Sequence, residues 1–313
     1  MTDIPLGGGG EFDRIRAIAA ALGSRARELG NDTALVRLGD ATVALSADVS
    51  VEGVHFRREW LSLEEIGWRA SAGALSDLAA SGADPIGVLA ALTIPAGEPV
   101  STFVALMQGV GAAVDAVGGK VLGGDLSRGD AIALALTVIG TAPIPVRRSG
   151  ATPGDAVWVT GELGGARAAL TAFIAGRTPD PAARLRFARP QPRIAWGRWL
   201  AAHGAKAMLD VSDGLAGDAG HLAAASGLAI RIDLGLVPCH PAVAAEARLA
   251  DEPAGVFAAK GGEDYELLVV MPPAFSGAAG FPLTRIGEAR VGAGLSLELA
   301  ARPIVLAGYE HFA

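Results

Sequence analysis

Residues 62–94, SLEEIGWRASAGALSDLAASGADPIGVLAALTI, contain a helical pattern followed by a strand pattern. Ser62 and Glu65 have the spacing of a capping box, and the largely apolar residues 66–78 predict the buried helix that it starts. Residues 85–94 form a short apolar run after a glycine turn, which predicts a strand. A helix and a strand this close together indicate a fold of the mixed α/β type.

The same alternation continues on both sides of this segment. Residues 11–22 have helical spacing, and two short apolar runs at 34–38 and 42–47 are separated by Gly39-Asp40, a dipeptide typical of a hairpin. Further helices are predicted at 101–117, 165–175, 194–202 and 215–225, and further strands at 120–122, 131–139, 156–160, 228–232 and 265–271.

The length and one proline-rich passage predict two domains. A chain of 313 residues exceeds the size at which a single core usually stops growing. Residues 141–155 contain three prolines and two glycines, as expected of a passage between domains. We predict a flexible glycine-rich tail at 1–10, a domain with a mixed sheet at 11–145, and a second α/β domain at 146–313.

Composition excludes several classes of function. The net charge is −7 and no run of Lys or Arg is present, so nucleic acid is not an expected partner. The longest apolar stretch, 131–146, is interrupted by Thr, Gly and Pro and is too short for a membrane helix. The start of the chain lacks a signal-peptide pattern, and the one cysteine, Cys239, excludes internal disulfides. We therefore expect a cytoplasmic protein.

Carboxylates follow small residues at the ends of many predicted elements. Each one alone is better explained as a turn or helix cap, since Asp and Gly are common turn residues. If several converged, their mutual repulsion would require a metal, and oxygen ligands without His or Cys favour Mg²⁺. The motifs are GND (30–32), SAD (46–48), LSD (75–77), GGD (123–125), DVSDG (210–214) and GGED (261–264).

Other patterns bear on phosphate binding. The 123–125 segment is interpreted as a glycine turn that approaches an anion, and Arg148 as either a phosphate contact or a surface ion pair. No Walker A sequence and no nucleophile elbow occur in the chain. The turn at 161–165 has a dinucleotide-binding outline, but Leu163 replaces its second glycine.

Five motifs occur in a fixed order along the chain. They are VEGVHF (51–56), SDLAA (76–80), GGD (123–125), SDGL (212–215) and GGEDYELL (261–268). Together they resemble the thiamine-monophosphate kinase family, and the match extends over essentially the whole chain. The resemblance implies a two-domain aminoimidazole ribonucleotide synthetase-like fold whose first sheet pairs across a homodimer. It also implies phosphorylation of thiamine monophosphate to thiamine diphosphate by ATP, with several Mg²⁺ ions.

The resemblance also assigns roles to residues. It implies metal ligands at Asp32, Ser46, Ala47, Asp48, Asp77, Asp125, Asp210 and Asp213. It implies ATP contacts at Met107, Gly124, Asp125, Arg148 and Ser212, and thiamine monophosphate contacts at His55, Glu263 and Tyr309. Asp48, Asp125 and Arg148 are the implied catalytic residues.

Four positions depart from the family pattern, namely Asn31, Ala47, Ala74 and Met107. Asn31, Ala47 and Ala74 leave open a second hypothesis, in which the chain binds ATP and Mg²⁺ but is inactive or acts on another phosphate. A remote third hypothesis is an NAD-binding oxidoreductase that uses the 161–165 turn.

Overall fold

The computed structural model describes residues 9–27, 29–277, 279–306 and 308–309. Its helices are α1 (Gly10–Leu22), α2 (Leu63–Ala80), α3 (Val100–Asp115), α4 (Gly165–Ile174), α5 (Pro181–Ala188), α6 (Ile194–Ala202), α7 (Leu215–Ser226), α8 (Val243–Leu249) and α9 (Ala254–Ala259). Its strands are β1 (Ala34–Leu38), β2 (Ala41–Val51), β3 (Asp84–Ile94), β4 (Lys120–Arg128), β5 (Ala133–Thr141), β6 (Ala156–Thr160), β7 (Ala207–Asp210), β8 (Ala229–Asp233), β9 (Leu267–Met271), β10 (Leu283–Arg290), β11 (Gly294–Leu299) and β12 (Arg302–Ile304). Most of the predicted tail, residues 1–8, lies outside the described residues, and α1 already begins at Gly10.

The first sheet has the strand order β1-β2-β5-β3-β4, with β3 and β4 parallel and the other neighbours antiparallel. The predicted hairpin is present, because Leu38 pairs with Ala41 around a two-residue turn. Helices α2 and α3 cover one face of this sheet. They lie in contact at Gly67, where an added Cβ would lie 2.0 Å from the Leu106 carbonyl oxygen.

The opposite face of the first sheet carries exposed apolar side chains. Along β5 the side chains alternate, so Leu134 and Leu136 face the helices while Ala135 faces away from them. Val49 and Leu89 lie on the outward face and are 54% and 39% exposed. No described residue of this chain forms a layer over them comparable to α2 and α3.

The second sheet has the order β12-β11-β8-β10-β6-β9-β7, with helices on its faces. Its helix α6 packs against α2 of the first half, where Gly197 allows the backbones to approach closely. The two sheets thus form one continuous body with α2 near its centre. No described helix is both long enough and apolar enough to cross a membrane.

One sequence-based assignment differs from the structure, and several elements were missed. Residues 123–125 lie inside β4 rather than in a turn, because β4 runs on to Arg128. The glycines were interpreted as turn residues, which they commonly are. No residue of this edge strand is buried, so no apolar pattern indicated a strand there. Several short elements were also not predicted, namely α5, α8, α9, β7, β10, β11 and β12. The domain boundary at 145 and 146 stays a prediction.

Candidate active site

A cavity of about 380 Å³ opens between the two halves of the chain. Strand β2 and helix α2 line it from the first half, and the segments after β7 and before β9 line it from the second. The lining contains ten of the residues that the sequence singles out. These are Asp32, Ser46, Asp48, His55, Asp77, Arg148, Asp210, Ser212, Asp213 and Glu263.

Three carboxylates converge at the centre of this cavity. Asp32, Asp77 and Asp210 each offer a carboxylate oxygen, and these atoms lie within 4.8 Å of one another. Asp77 reaches the cavity from the last turn of α2, and Asp210 ends β7. The Ser46 hydroxyl donates to Asp77 Oδ2 at 2.5 Å. Asp48 follows on the same face of β2, since side chains alternate along a strand.

Burial and mutual repulsion perturb these carboxylates. Burial raises the pKa of Asp77 well above its usual value, and the neighbouring charges of Asp48 and Asp210 raise it further. Burial followed by the charge of Asp32 raises the pKa of Asp210 to about 7. The pKa of Asp48 is also raised, first because the cavity walls desolvate its carboxylate and then by the charge of Asp32. The cluster therefore favours either protons or a bound cation.

Arg148 contributes one positive charge to the cluster. Its Nε donates to Asp32 Oδ1 at 2.9 Å, and its backbone N–H donates to Asn31 Oδ1 at 3.4 Å. Burial alone would lower the pKa of Arg148, but the charge of Asp32 and its hydrogen bond raise it overall. The side chain is 18% exposed, so the sequence interpretation as a surface ion pair does not hold.

A second cavity, of about 360 Å³, adjoins the first and has a more apolar lining. Trp60, Leu170 and Phe187 form part of its wall, and the predicted substrate residue Tyr309 lies on its rim. Five residues line both cavities, namely His55, Arg69, Ser212, Asp213 and Glu263. The two cavities are therefore adjacent compartments of one site, one acidic and one suited to a flat organic group.

Arg69 is a member of this site that the sequence analysis missed. It lies in α2 among buried apolar residues, is 5% exposed, and forms an ion pair with Glu263. A lone arginine inside an otherwise apolar helix face was the available signal, because a buried guanidinium requires partners.

Four predicted site residues do not line the described cavities. Ala47 points to the face of β2 opposite Ser46 and Asp48, and Met107 packs against the core from α3. Gly124 and Asp125 lie in the exposed edge strand β4. Three strand spacings separate β4 from β2, about 14 Å, so within one chain Asp125 cannot join Asp48.

The 161–165 turn has no room for a dinucleotide phosphate. The start of α4 is occupied by the buried carboxylate of Asp264, whose Oδ2 accepts from Gly164 N at 2.6 Å and whose Oδ1 accepts from Ala166 N at 3.3 Å. That carboxylate takes the anion position at the helix N-terminus. The arrangement argues against the oxidoreductase hypothesis.

Comparisons with known proteins find relatives that match both halves of the chain. Residues 30–142 match the family model of the AIR synthase related protein N-terminal domain, and residues 152–298 match that of its C-terminal domain. The thiamine-monophosphate kinase of Salmonella typhimurium is 34% identical over 321 residues, which cover 96% of each chain. The chain belongs to the thiamine-monophosphate kinase family. This confirms the family and the two-domain aminoimidazole ribonucleotide synthetase-like fold predicted from the motifs.

Other members of the family extend the comparison. The thiamine-monophosphate kinase of Aquifex aeolicus is 32% identical and covers 97% of this chain and 98% of its own. The solved structure "AaThiL complexed with AMPPCP and TMP" superposes with a TM-score of 0.89, at 32% identity and 97% coverage of both chains. The similarity thus covers both halves of the chain, including the segments that line the cavity between them.

Proposed function

We propose that this protein transfers the γ-phosphoryl group of ATP to thiamine monophosphate, giving thiamine diphosphate and ADP. The substrates are supported by the relatives, which are thiamine-monophosphate kinases, one of them solved as a complex with AMPPCP and TMP. The observation that carries the proposal is the convergence of Asp32, Asp77 and Asp210 within 4.8 Å in a cavity that adjoins a second, more apolar one. A carboxylate cluster beside a compartment for a flat acceptor is suited to metal-assisted phosphoryl transfer.

The donor set fits Mg²⁺. The described lining of the acidic cavity contains carboxylates and the Ser46 hydroxyl but no cysteine, and its one histidine, His55, already accepts a hydrogen bond from Val51 N at 3.1 Å. Hard oxygen donors of this kind are typical of Mg²⁺ sites. When bound, several Mg²⁺ ions would neutralise and align the two phosphates for in-line transfer.

The chain's own residues would position the reactants. We assign Asp32, Asp48 and Asp77 to metal binding from the first half, and Asp210 with Asp213 to closure from the second. Arg148 would stabilise charge on the transferred group, as arginine does in other phosphotransferases. The acceptor is a phosphate monoester with a second pKa of about 6, so near pH 7 it is already largely the dianionic nucleophile, and no general base is needed.

The homodimer predicted from the resemblance has a candidate surface. The outward face of the first sheet exposes apolar side chains, and the edge strand β4 exposes Leu122 and Leu126 as well, at 48% and 65%. A second copy would cover such a surface. We propose that pairing at this edge brings Gly124 and Asp125 to the partner's acidic cavity.

A coupled assay tests the reaction. Purified protein, ATP, Mg²⁺ and thiamine monophosphate should yield thiamine diphosphate and ADP in equal amounts, and EDTA should stop the reaction. ATP binding that depends on Mg²⁺ without formation of thiamine diphosphate would instead support the hypothesis of an inactive or altered relative. Absence of both would remove the proposal.

The effect of Mg²⁺ on stability should increase with pH. Asp210 has a pKa of about 7 in the folded, metal-free protein, against an ordinary value of 3.8, so the folded state binds more protons than the unfolded state between these values. Stability of the metal-free protein should therefore fall as pH rises from about 4 to 7. Metal competes with those protons, so the rise in melting temperature on adding Mg²⁺ should be larger at pH 8 than at pH 6. Thermal melts with MgCl₂ and with EDTA at both pH values measure this, and an equal gain at both would contradict it.

A further inference from the structure

Arg69 and Glu263 form an ion pair where the two cavities meet. Both residues line the acidic cavity and the more apolar one. The guanidinium of Arg69 also donates to the carbonyl oxygen of Phe187 and lies over the Phe187 ring, 3.9 Å from its centroid. Arg69 is thus fixed at the junction by contacts other than those with Glu263.

The two members of the pair differ in how firmly they are held. Arg69 is buried in α2, whereas Glu263 has a side chain that is 31% exposed and belongs to the irregular segment after Gly261 and Gly262. Its φ of +64° is unusual for a residue other than glycine. A buried guanidinium needs an anionic partner, but the partner need not always be the same one.

The other cations of the second cavity are already engaged. Arg167 and Lys260 both bind Glu252, at 3.0 Å and 2.7 Å, and Arg57 lies over the Trp60 ring at 4.8 Å from its centroid. Among the described residues that line both cavities, only Arg69 carries a permanent positive charge. An acceptor phosphate that must lie at the junction to meet the acidic cavity therefore lies next to Arg69.

We propose that Arg69 is a positioning residue for the acceptor, and that a zwitterionic acceptor replaces the internal Arg69–Glu263 ion pair. This inference rests on the proposed function. The acceptor's phosphate binds the guanidinium of Arg69, and the acceptor's cationic heteroaromatic ring pairs with the carboxylate of Glu263. The two opposite charges of the ligand thereby replace the two charges of the ion pair, so the buried Arg69 keeps an anionic partner.

Substitutions of Arg69 and of Glu263 should change the preference for a phosphorylated ligand in opposite directions. Loss of the Arg69 charge should weaken a ligand with a phosphate and spare one without it. Loss of the Glu263 charge should weaken the cationic ring's contact while it leaves Arg69 without a competitor for the phosphate. The ratio of affinities for thiamine monophosphate and thiamine reports both effects, since the two ligands differ only in the phosphate.

Calorimetric titration of the full chain, with Mg²⁺ and the non-transferable analogue AMPPCP present, measures this ratio without turnover. Arg69→Gln should weaken thiamine monophosphate about 10- to 100-fold and change thiamine binding less than about twofold. Glu263→Gln should weaken thiamine about tenfold and thiamine monophosphate less, so the ratio rises. Arg177→Gln breaks an ion pair with Glu246 outside both cavities and should leave the ratio unchanged.

The outcomes separate the inference from the proposed function. Equal losses for both ligands in Arg69→Gln, or an unchanged ratio in Glu263→Gln, would overturn the inference while wild-type kinase activity keeps the proposed function. Should Arg69→Gln fail to fold, Glu263→Gln decides alone, because the Glu263 side chain is partly exposed and its replacement does not disturb the core. A wild-type protein that forms no thiamine diphosphate would remove the proposed function itself.

Discussion

Asp77→Asn is expected to lower turnover about a thousandfold and to make the metal-free protein more stable at pH 8. Asp77 is the central carboxylate of the cluster, because its pKa is raised by burial and by three neighbouring aspartates. Asparagine keeps the size of the side chain and an oxygen that can accept from Ser46, but it loses the charge that a cation needs. Substitution of a residue in the shell around a metal ligand typically lowers activity about 10- to 100-fold, and loss of the ligand itself should lower it further.

The gain in stability follows from the same charge. Carboxylates about 4 Å apart repel by about 4 kcal/mol at an effective dielectric of 20, and partial protonation relieves some of this repulsion. We therefore expect the free energy of unfolding of the EDTA-treated variant to rise by about 1–3 kcal/mol at pH 8. Urea unfolding with and without Mg²⁺ measures both states of the protein.

A matched control separates the cluster from ordinary aspartates. Asp84 pairs with Arg198 at 2.6 Å in an exposed setting, so Asp84→Asn should change stability by less than about 0.5 kcal/mol and leave turnover intact. Full activity in Asp77→Asn would show that this carboxylate does not hold the cation. A metal-free variant less stable than the wild type at pH 8 would show that repulsion within the cluster does not destabilise the fold.

Local signals in the sequence predicted the elements that position the site. The capping box at Ser62 is present with both reciprocal hydrogen bonds, and helix α2 follows as predicted. The Gly39-Asp40 turn closes the hairpin that brings β2 beside α2. These features depend on residues close in sequence, and each has one stable local solution. The convergence of the carboxylates depended instead on the resemblance, because Asp210 ends β7, a strand that the sequence analysis did not predict.

Features that depend on distant residues were not predictable in the same way. The short helices α8 and α9 have too few residues for a periodic pattern, and their stability comes from packing. The role of Asp264 as an anion at the start of α4 joins residues about 100 positions apart. Arg69 gave only a weak signal, because its position at the junction depends on a turn in the other half of the chain.

Asp48 and Asp125, which the resemblance assigns to one site, lie on opposite faces of the first sheet. Asp48 pairs with Leu136, which lies on the helix-covered face, whereas Asp125 pairs with Ala91 and shares the outward face with Ala135. Side chains on opposite faces of one sheet and three strands apart cannot bind one ion. If both residues belong to one site, as the resemblance implies, a second copy of the chain must supply one of them.

Mixed dimers of Asp48→Ala and Asp125→Ala subunits should therefore regain activity that neither variant has alone. In a mixed dimer one site receives both substitutions and the other receives neither, so one intact site remains. Each mixed dimer has one intact site of two, so mixed dimers freed of both parent dimers should have about half of the wild-type activity. Co-expression with two different affinity tags, tandem purification and the thiamine diphosphate assay measure the recovery.

Mixing Asp48→Ala with Asp77→Ala is the matched control, since both residues line the same chain's cavity and no intact site can form. Recovery in the control, or none in the test pair, would place Asp125 outside a shared site, because only residues contributed by different chains can complement each other.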